Sequence, residues 1–312
     1  MSAIKTFLVS SLVISAGLCA PAPQDHHLAS RAIVAPAGFT KVLFQEDFST
    51  AKAGGQPDKA KWTYDLGKNY PGGAANWGTG EIQTYTDAKE NIAFVDGALR
   101  ITPVRKGEAW TSARIETTKS QDFTCAPGKK LRIEAEIKLS SADPATQMGI
   151  WPAFWSMGSA FRDNVTSWPA IGEIDVLEVA NGQAQVFHTA HCGVVNGGPC
   201  DEKNGKGGGA AFPRGRFVKM AVDVDRTASD WKAEKLVWSV DGKTTLTITG
   251  QQIGDQKAWA PLTSTPKMIL INVAVGGEFP FAKGGNKPTP DAKTVGGAPS
   301  AMDIKYVAVY TN

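Results

Sequence analysis

The chain carries little net charge of either sign. Its 33 basic and 30 acidic side chains leave +3 over 312 residues, which removes any electrostatic case for nucleic acid as a partner. It lacks an internal repeat, and no segment holds a helical period beyond about two turns, so a helical bundle is not expected. Long apolar runs are absent too. The run from Phe7 to Leu18 is about 12 residues, too short for the roughly 20 that a spanning helix needs. Disorder is excluded from the other side, because 42% of the residues are hydrophobic, enough for a packed core. What the chain has in quantity is turn formers: Gly 33 and Pro 18, a usage that fits many short strands.

The N-terminus sets the expected compartment. Residues 1–20 read as a secretory signal, with Lys5 as the positive start, the Phe7 to Leu18 run, and small residues at Cys19, Ala20 and Ala22. Residues 21–34 read as a polar, Pro-bearing leader, and 35–312 as one domain. The last residues, MDIKYVAVYTN, read as a strand without a lipid-anchor tail. A secreted, soluble monomer is expected, with neither membrane nor nucleic acid as partner. Cys125, Cys192 and Cys200 remain after the signal leaves. Cys192 and Cys200 bracket the glycine-rich CGVVNGGPC and are expected to close as a disulfide, leaving Cys125 as a buried free thiol. Asn164-Val165-Thr166 is a glycosylation sequon, which places Asn164 on an exposed loop.

Strand-like runs recur at short spacing: Lys41–Phe44, Ala98–Val104, Arg114–Thr117, Lys130–Leu139, Gly172–Val179, Gln185–His191, Lys267–Val275 and Ile304–Tyr310 among them. Asp96-Gly97 and Asp241-Gly242 punctuate them as hairpin turns. An all-β sandwich or barrel follows. Residues 281–300 read as a long Gly/Pro loop rather than a domain boundary.

One segment carries chemistry. Gly172-Glu-Ile-Asp-Val-Leu-Glu178 holds three acids in six residues between apolar neighbours. On a helix Glu173 and Glu178 diverge by about 140°. On a regular strand Glu173 and Asp175 share a face and Glu178 points away. One β-bulge at Val176-Leu177 restores the parity and puts all three on one face. Acids gathered this way repel one another, so three readings stand at this point: acid/base catalysis, a divalent metal, or a solvated acidic face. As a glycosidase pair, Glu173 and Glu178 need a concave strand to bring their carboxyl groups together.

Gly172–Glu178 resembles the signature of glycoside hydrolase family 16 in its bulged Glu-x-Asp-x-x-Glu form. The resemblance extends over about residues 40–310: Glu81-Ile-Gln-Thr-Tyr-Thr, Ser112-Ala-Arg-Ile-Glu116, Gly149-Ile-Trp-Pro-Ala-Phe-Trp155, His191-Cys-Gly with Gly197-Gly-Pro-Cys200, Asn272-Val-Ala-Val-Gly-Gly277 and Tyr306-Val-Ala-Val-Tyr310. It implies a β-jelly-roll of two curved antiparallel sheets with a cleft on the concave face. It implies Glu173 as nucleophile, Glu178 as general acid/base and Asp175 as the residue that orients Glu173. Trp155 and His191 match positions lining the cleft, and Trp168, Arg114 and Asn76 are further substrate-binding candidates; His188 is expected to be a core or edge residue. The stretch between Trp155 and Trp168 is longer than the family's tight loop and is expected to wall one end of the cleft.

The bulged form implies a laminarinase-type endo-glucanase acting on β-1,3 or mixed β-1,3/1,4-glucan, with a polysaccharide as its partner and no cofactor. An endo-β-1,3-galactanase, a cell-wall transglycosylase and a non-catalytic glucan-binding lectin share the scaffold. Some relatives hold a structural Ca²⁺ near the chain ends, where Glu46 and Asp303 lie.

Overall fold

The computed structural model describes Met1 and residues 33–312; the expected signal and nearly all of the leader lie outside the described residues. Strand formation follows from alternation. In Lys130–Leu139, the apolar Leu131, Ile133, Ala135, Ile137 and Leu139 recur at every second position and are all buried. Lys267–Val275 is buried along its whole length, because both of its faces are covered.

The strands form two large antiparallel sheets. One has the order Lys206–Ala211, Gln185–His191, Glu173–Glu178, Ile150–Gly158, Lys267–Val275, Arg114–Thr117 and Trp62–Asp65. The other runs Lys243–Thr249, Lys235–Val240, Val218–Asp225, Lys130–Leu139, Met302–Thr311, Ala98–Ile101 and Ile92–Val95, with Lys41–Asp47 also on Met302–Thr311. Phe154, Ile174, Leu177 and Ile271 of the first pack against Ile133, Val222, Trp238 and Val309 of the second in one core. This is the sandwich of two antiparallel sheets expected of a jelly roll. A small third sheet joins Thr84–Tyr85, Ala109–Ser112 and Val104–Lys106.

Several expected boundaries move. The run Ala98–Val104 breaks into Ala98–Ile101 and Val104–Lys106, since Pro103 cannot donate to a ladder. Lys206–Ala211, a KGGGAA edge strand, carries no apolar alternation and was not expected. The 281–300 stretch starts inside a short helix, Glu278–Lys283, and returns through Ala298–Ser300 into Met302–Thr311. Cys192 and Cys200 form a disulfide and Cys125 is a buried free thiol.

The two acids considered for calcium meet protein cations instead. Asp303 accepts from Arg100 Nε (2.6 Å) and lies 2.9 Å from Lys138 Nζ, and Glu46 pairs with Lys61. Carboxylates neutralised in this way do not supply the roughly six to eight oxygens of a calcium shell, so Glu46 and Asp303 do not fit that ion.

Candidate active site

Strand register assembles the site. Glu173–Glu178 is a central strand, paired with Ile150–Gly158 on one side and Gln185–His191 on the other. On the first side Phe154 pairs with Leu177 and Trp155 with Asp175, so Val176 is the extra residue. On the second, Asp175 pairs with Thr189 and Glu178 with Phe187, so two residues, Val176 and Leu177, lie opposite one, His188. That is a β-bulge at Val176-Leu177, and both side chains are buried in the core. Directly opposed residues share a face, so Glu173 lies beside Met157 and His191, Asp175 beside Trp155 and Thr189, and Glu178 beside Ala153 and Phe187. The same rows continue across the sheet through Asn272 and Arg114 to Asp65. The indole of Trp238, from the other sheet, donates to the Asp175 carbonyl (2.8 Å), and the Val176 carbonyl lies 2.9 Å from His188 Nδ1. His188 is therefore a buried strut of the bulge.

Burial dominates the electrostatics of the acids. It pushes Glu173 up to about 8, with the Asp175 charge adding to the rise, while His191 and Arg114 oppose it. Burial and Asp175 push Glu178 well above the usual carboxylate range, against His191 and the hydrogen bond that Trp151 Nε1 donates to Glu178 Oε1 (3.0 Å). His191 Nε2 lies 3.4 Å from Asp175 Oδ2, an ion-pair contact too long for a well-formed hydrogen bond. Asp175 Oδ2 is thus a buried acceptor without a donor.

The aromatic candidates fall on both sides of the acids. Trp155 is half-buried, donates from Nε1 to Asn272 Oδ1 (2.8 Å), and its ring lies 4.9 Å from the Arg114 guanidinium. Trp168 packs on His191 with ring centroids 5.6 Å apart. Arg114 is buried, donates to Asp65 (3.0 Å) and to the Tyr70 hydroxyl (2.9 Å), and is enclosed by the rings of Tyr70, Trp77 and Trp155. Asn76 is exposed, and its carbonyl accepts from Thr79 and Gly80. Trp77 rather than Asn76 enters the cluster: its ring lies 4.5 Å from Arg114, at a φ of 57° that a bulky residue seldom adopts. The long loop begins as the short helix Ser159–Arg162 and is tied down by Arg162, which donates to Glu116 and Asp122. Asn164 is exposed on it, its side-chain oxygen accepting from Thr166.

Three features escaped the sequence. Trp151 stands four residues before Trp155 on the same strand face; it packs on Phe279 (5.2 Å), which meets Phe187 (5.5 Å), with Lys283 over the Phe187 ring (4.1 Å). Glu81, held by Thr79, Gln83 and Tyr85, anchors the Tyr85 hydroxyl that accepts from Asn272. Glu202 bonds His191. Strand parity would have found Trp151; nothing local flags the other two. Glu173, Asp175 and His191 also bring ligand atoms within 4.8 Å of one another. With a nitrogen among three donors, they do not make a calcium shell.

A family profile described as "XgeA-like, catalytic GH16 domain" matches residues 137–207. The solved endo-1,3-beta-glucanase from Streptomyces sioyaensis is 38% identical with a TM-score of 0.83, over 90% of this chain and 99% of that chain. The chain belongs to glycoside hydrolase family 16, of the laminarinase type. Within the family, the beta-glucanase of Rhodothermus marinus is 29% identical over 263 residues, 82% of this chain and 81% of its own length. Glucan endo-1,3-beta-glucosidase A1 of Niallia circulans is 30% identical over 288 residues, 86% of this chain. The chain spans 37% of the length of that relative.

Proposed function

We propose that this protein is a secreted endo-β-1,3-glucanase that works by double displacement with retention. The observation that carries the reading is geometric: Glu173, Asp175 and Glu178 share one face of a bulged central strand, beside Trp155 on one neighbouring strand and His191 on the other. Glu173, with the His191 and Arg114 charges favouring its anionic form, acts as the nucleophile. Its oxygen attacks the anomeric carbon as the glycosidic C–O bond breaks, and Glu178 delivers its proton to the leaving oxygen. Glu178 then takes a proton from water, the hydroxide attacks the same carbon, and the ester to Glu173 breaks. Asp175, with an acceptor oxygen free, orients Glu173 and receives a donor from the sugar or from the neighbouring acid. Trp155, Trp168 and Trp77 offer ring faces to pyranose faces, and Trp77 Nε1 is a buried donor without an acceptor.

The name of the Streptomyces relative supports glucan as the polymer. Reducing-end release is measured on laminarin, lichenan and a β-1,3-galactan in parallel. Release from laminarin is expected, and Glu173→Gln is expected to lose at least about a thousandfold in kcat while keeping its circular dichroism. Turnover confined to the galactan, or a fully active Glu173→Gln, overturns the assignment.

A further inference from the structure

We propose that Glu202 is a positioning residue for this chemistry: its carboxylate, delivered by the Cys192–Cys200 loop, fixes His191 as an imidazolium facing Asp175 and so keeps a cation beside the acid pair. The inference rests on the glycosidase reading of Glu173 and Glu178 and adds a residue and a charge state to it.

The geometry favours the doubly protonated imidazole. Glu202 Oε2 accepts from His191 Nδ1 at 2.7 Å. A carboxylate only accepts, so Nδ1 carries a proton. The other nitrogen, Nε2, lies 3.4 Å from Asp175 Oδ2. In a neutral ring protonated at Nδ1, Nε2 would turn a lone pair toward that carboxylate, which repels. With both nitrogens protonated, each meets an acid. The acids that act on the ring are Asp175, Glu173 and Glu178 on the neighbouring strand and Glu202 on the loop, and the Trp168 indole packs on it. Burial by itself pushes the imidazole down, and the Glu202 bond together with the negative charges of Asp175 and Glu173 overrides it and holds His191 well above its ordinary range.

The loop is built to hold Glu202 there. The Glu202 side chain is fully buried, and its second oxygen accepts from Cys192 N (2.8 Å), next to His191 itself. Among the described residues, His191 is the one cation within ion-pair distance of Glu202. The disulfide closes the chain two residues before Glu202, and Gly197 and Glu202 exchange a pair of backbone bonds. Gly205 packs so tightly that a Cβ there would lie 2.8 Å from His191 Cε1. The outcome bears on the reaction: the His191 charge favours the anionic form of both Glu173 and Glu178, against the burial and the Asp175 charge that hold their protons on.

The test compares wild type with Glu202→Gln, which keeps the acceptor for Cys192 N, and with Glu202→Asp, which keeps the charge. The His191 imidazole is titrated by NMR, assigned with His191→Gln, and kcat and KM on laminarin are followed from pH 4 to 8 (about one unit either side of the neutral-to-acid range in which a histidine switches). In Glu202→Gln the His191 midpoint is expected to fall by more than about one pH unit, and the acidic limb of kcat/KM to rise by about half to one unit. At the acidic end kcat is expected to drop about three- to tenfold with KM nearly unchanged, while Glu202→Asp keeps the wild-type limb. An unchanged His191 titration in Glu202→Gln overturns the proposal. So does a uniform loss of activity with no movement of the limb, the signature of a merely structural residue. If wild type cleaves none of the polymers, the glucanase reading fails by itself, and the NMR titration still decides the role of Glu202.

Discussion

Deleting Leu177 tests the bulge from which the acid face is built. After the deletion, Asp175 and the former Glu178 are two steps apart, matching Thr189 to Phe187 on one neighbour and Trp155 to Ala153 on the other. Both ladders become regular, Val176 takes the core position opposite Phe154, and Glu173, Asp175 and Glu178 still share the cleft face. What is lost is one buried apolar side chain, about 2–5 kcal/mol with its residual cavity. That is tolerable against a total of roughly 5–15 kcal/mol and corresponds to a fall in Tm of about 5–20 °C. Deleting Ile174 removes the same kind of side chain from the regular part of the strand. There, either Glu173 or Asp175 must turn into the core whichever way the bulge readjusts, a penalty beyond what the fold can absorb. The assay is soluble yield, far-UV circular dichroism and melting of the two deletion variants side by side, with laminarin cleavage measured at low temperature on whichever folds. The expected outcome is a folded Leu177 deletion with some activity and an unfolded Ile174 deletion. Equal behaviour of the two, in either direction, refutes the reasoning.

Trp151→Phe removes the donor that stabilises the Glu178 carboxylate, so Glu178 should keep its proton to higher pH and the alkaline limb of kcat/KM should move up; a limb that stays or moves down counts against the contact. Burial holds the Lys267 ammonium down at about 7, whereas an unfolded lysine titrates near ~10.4. Between those values the unfolded chain binds more protons than the folded one, so this residue makes stability rise with pH, and urea melts should show that increment vanish in Lys267→Met. Arg114→Gln leaves Asp65 buried beside Glu116 without its nearest cation, a loss of about 3–5 kcal/mol readable as a lowered Tm; a change within error would show that Tyr70 alone satisfies Asp65.

The parts of the fold with alternating side chains were legible. Lys130–Leu139 and Gln185–His191 run to the residues that their apolar periodicity marks. Parity among three acids was enough to locate the bulge, because a regular strand cannot keep Glu173 and Glu178 on one face. Lys206–Ala211 was invisible for the opposite reason: glycine has no side chain to alternate, and the strand is defined by its partner. At the site, the three acids, and Trp155 and His191 on the neighbouring strands, were readable from parity and the motif, whereas Trp151 on the same strand as Trp155 was not read and Glu202 and Trp77 come from chain reversals that no local pattern marks. Glu202 reaches His191 only because a disulfide folds its loop back. Trp77 reaches Arg114 from a left-handed turn position, where local propensity argues against a tryptophan and favours Asn76.

The position of the signature strand also divides the site by its rate of opening. Glu173–Glu178 is paired on both edges and strapped from behind by Trp238, so its amides should exchange with solvent only when the whole molecule unfolds. Trp168 and the residues around Asn164 are carried by a connecting loop, and such loops open at lower free energy. On the proposed reading, warming is expected to loosen the sugar-binding residues of that loop while the two carboxyl groups stay in register, so that heat inactivation is reversible, complete some degrees before the sheets melt, and undone on cooling without any refolding of the core.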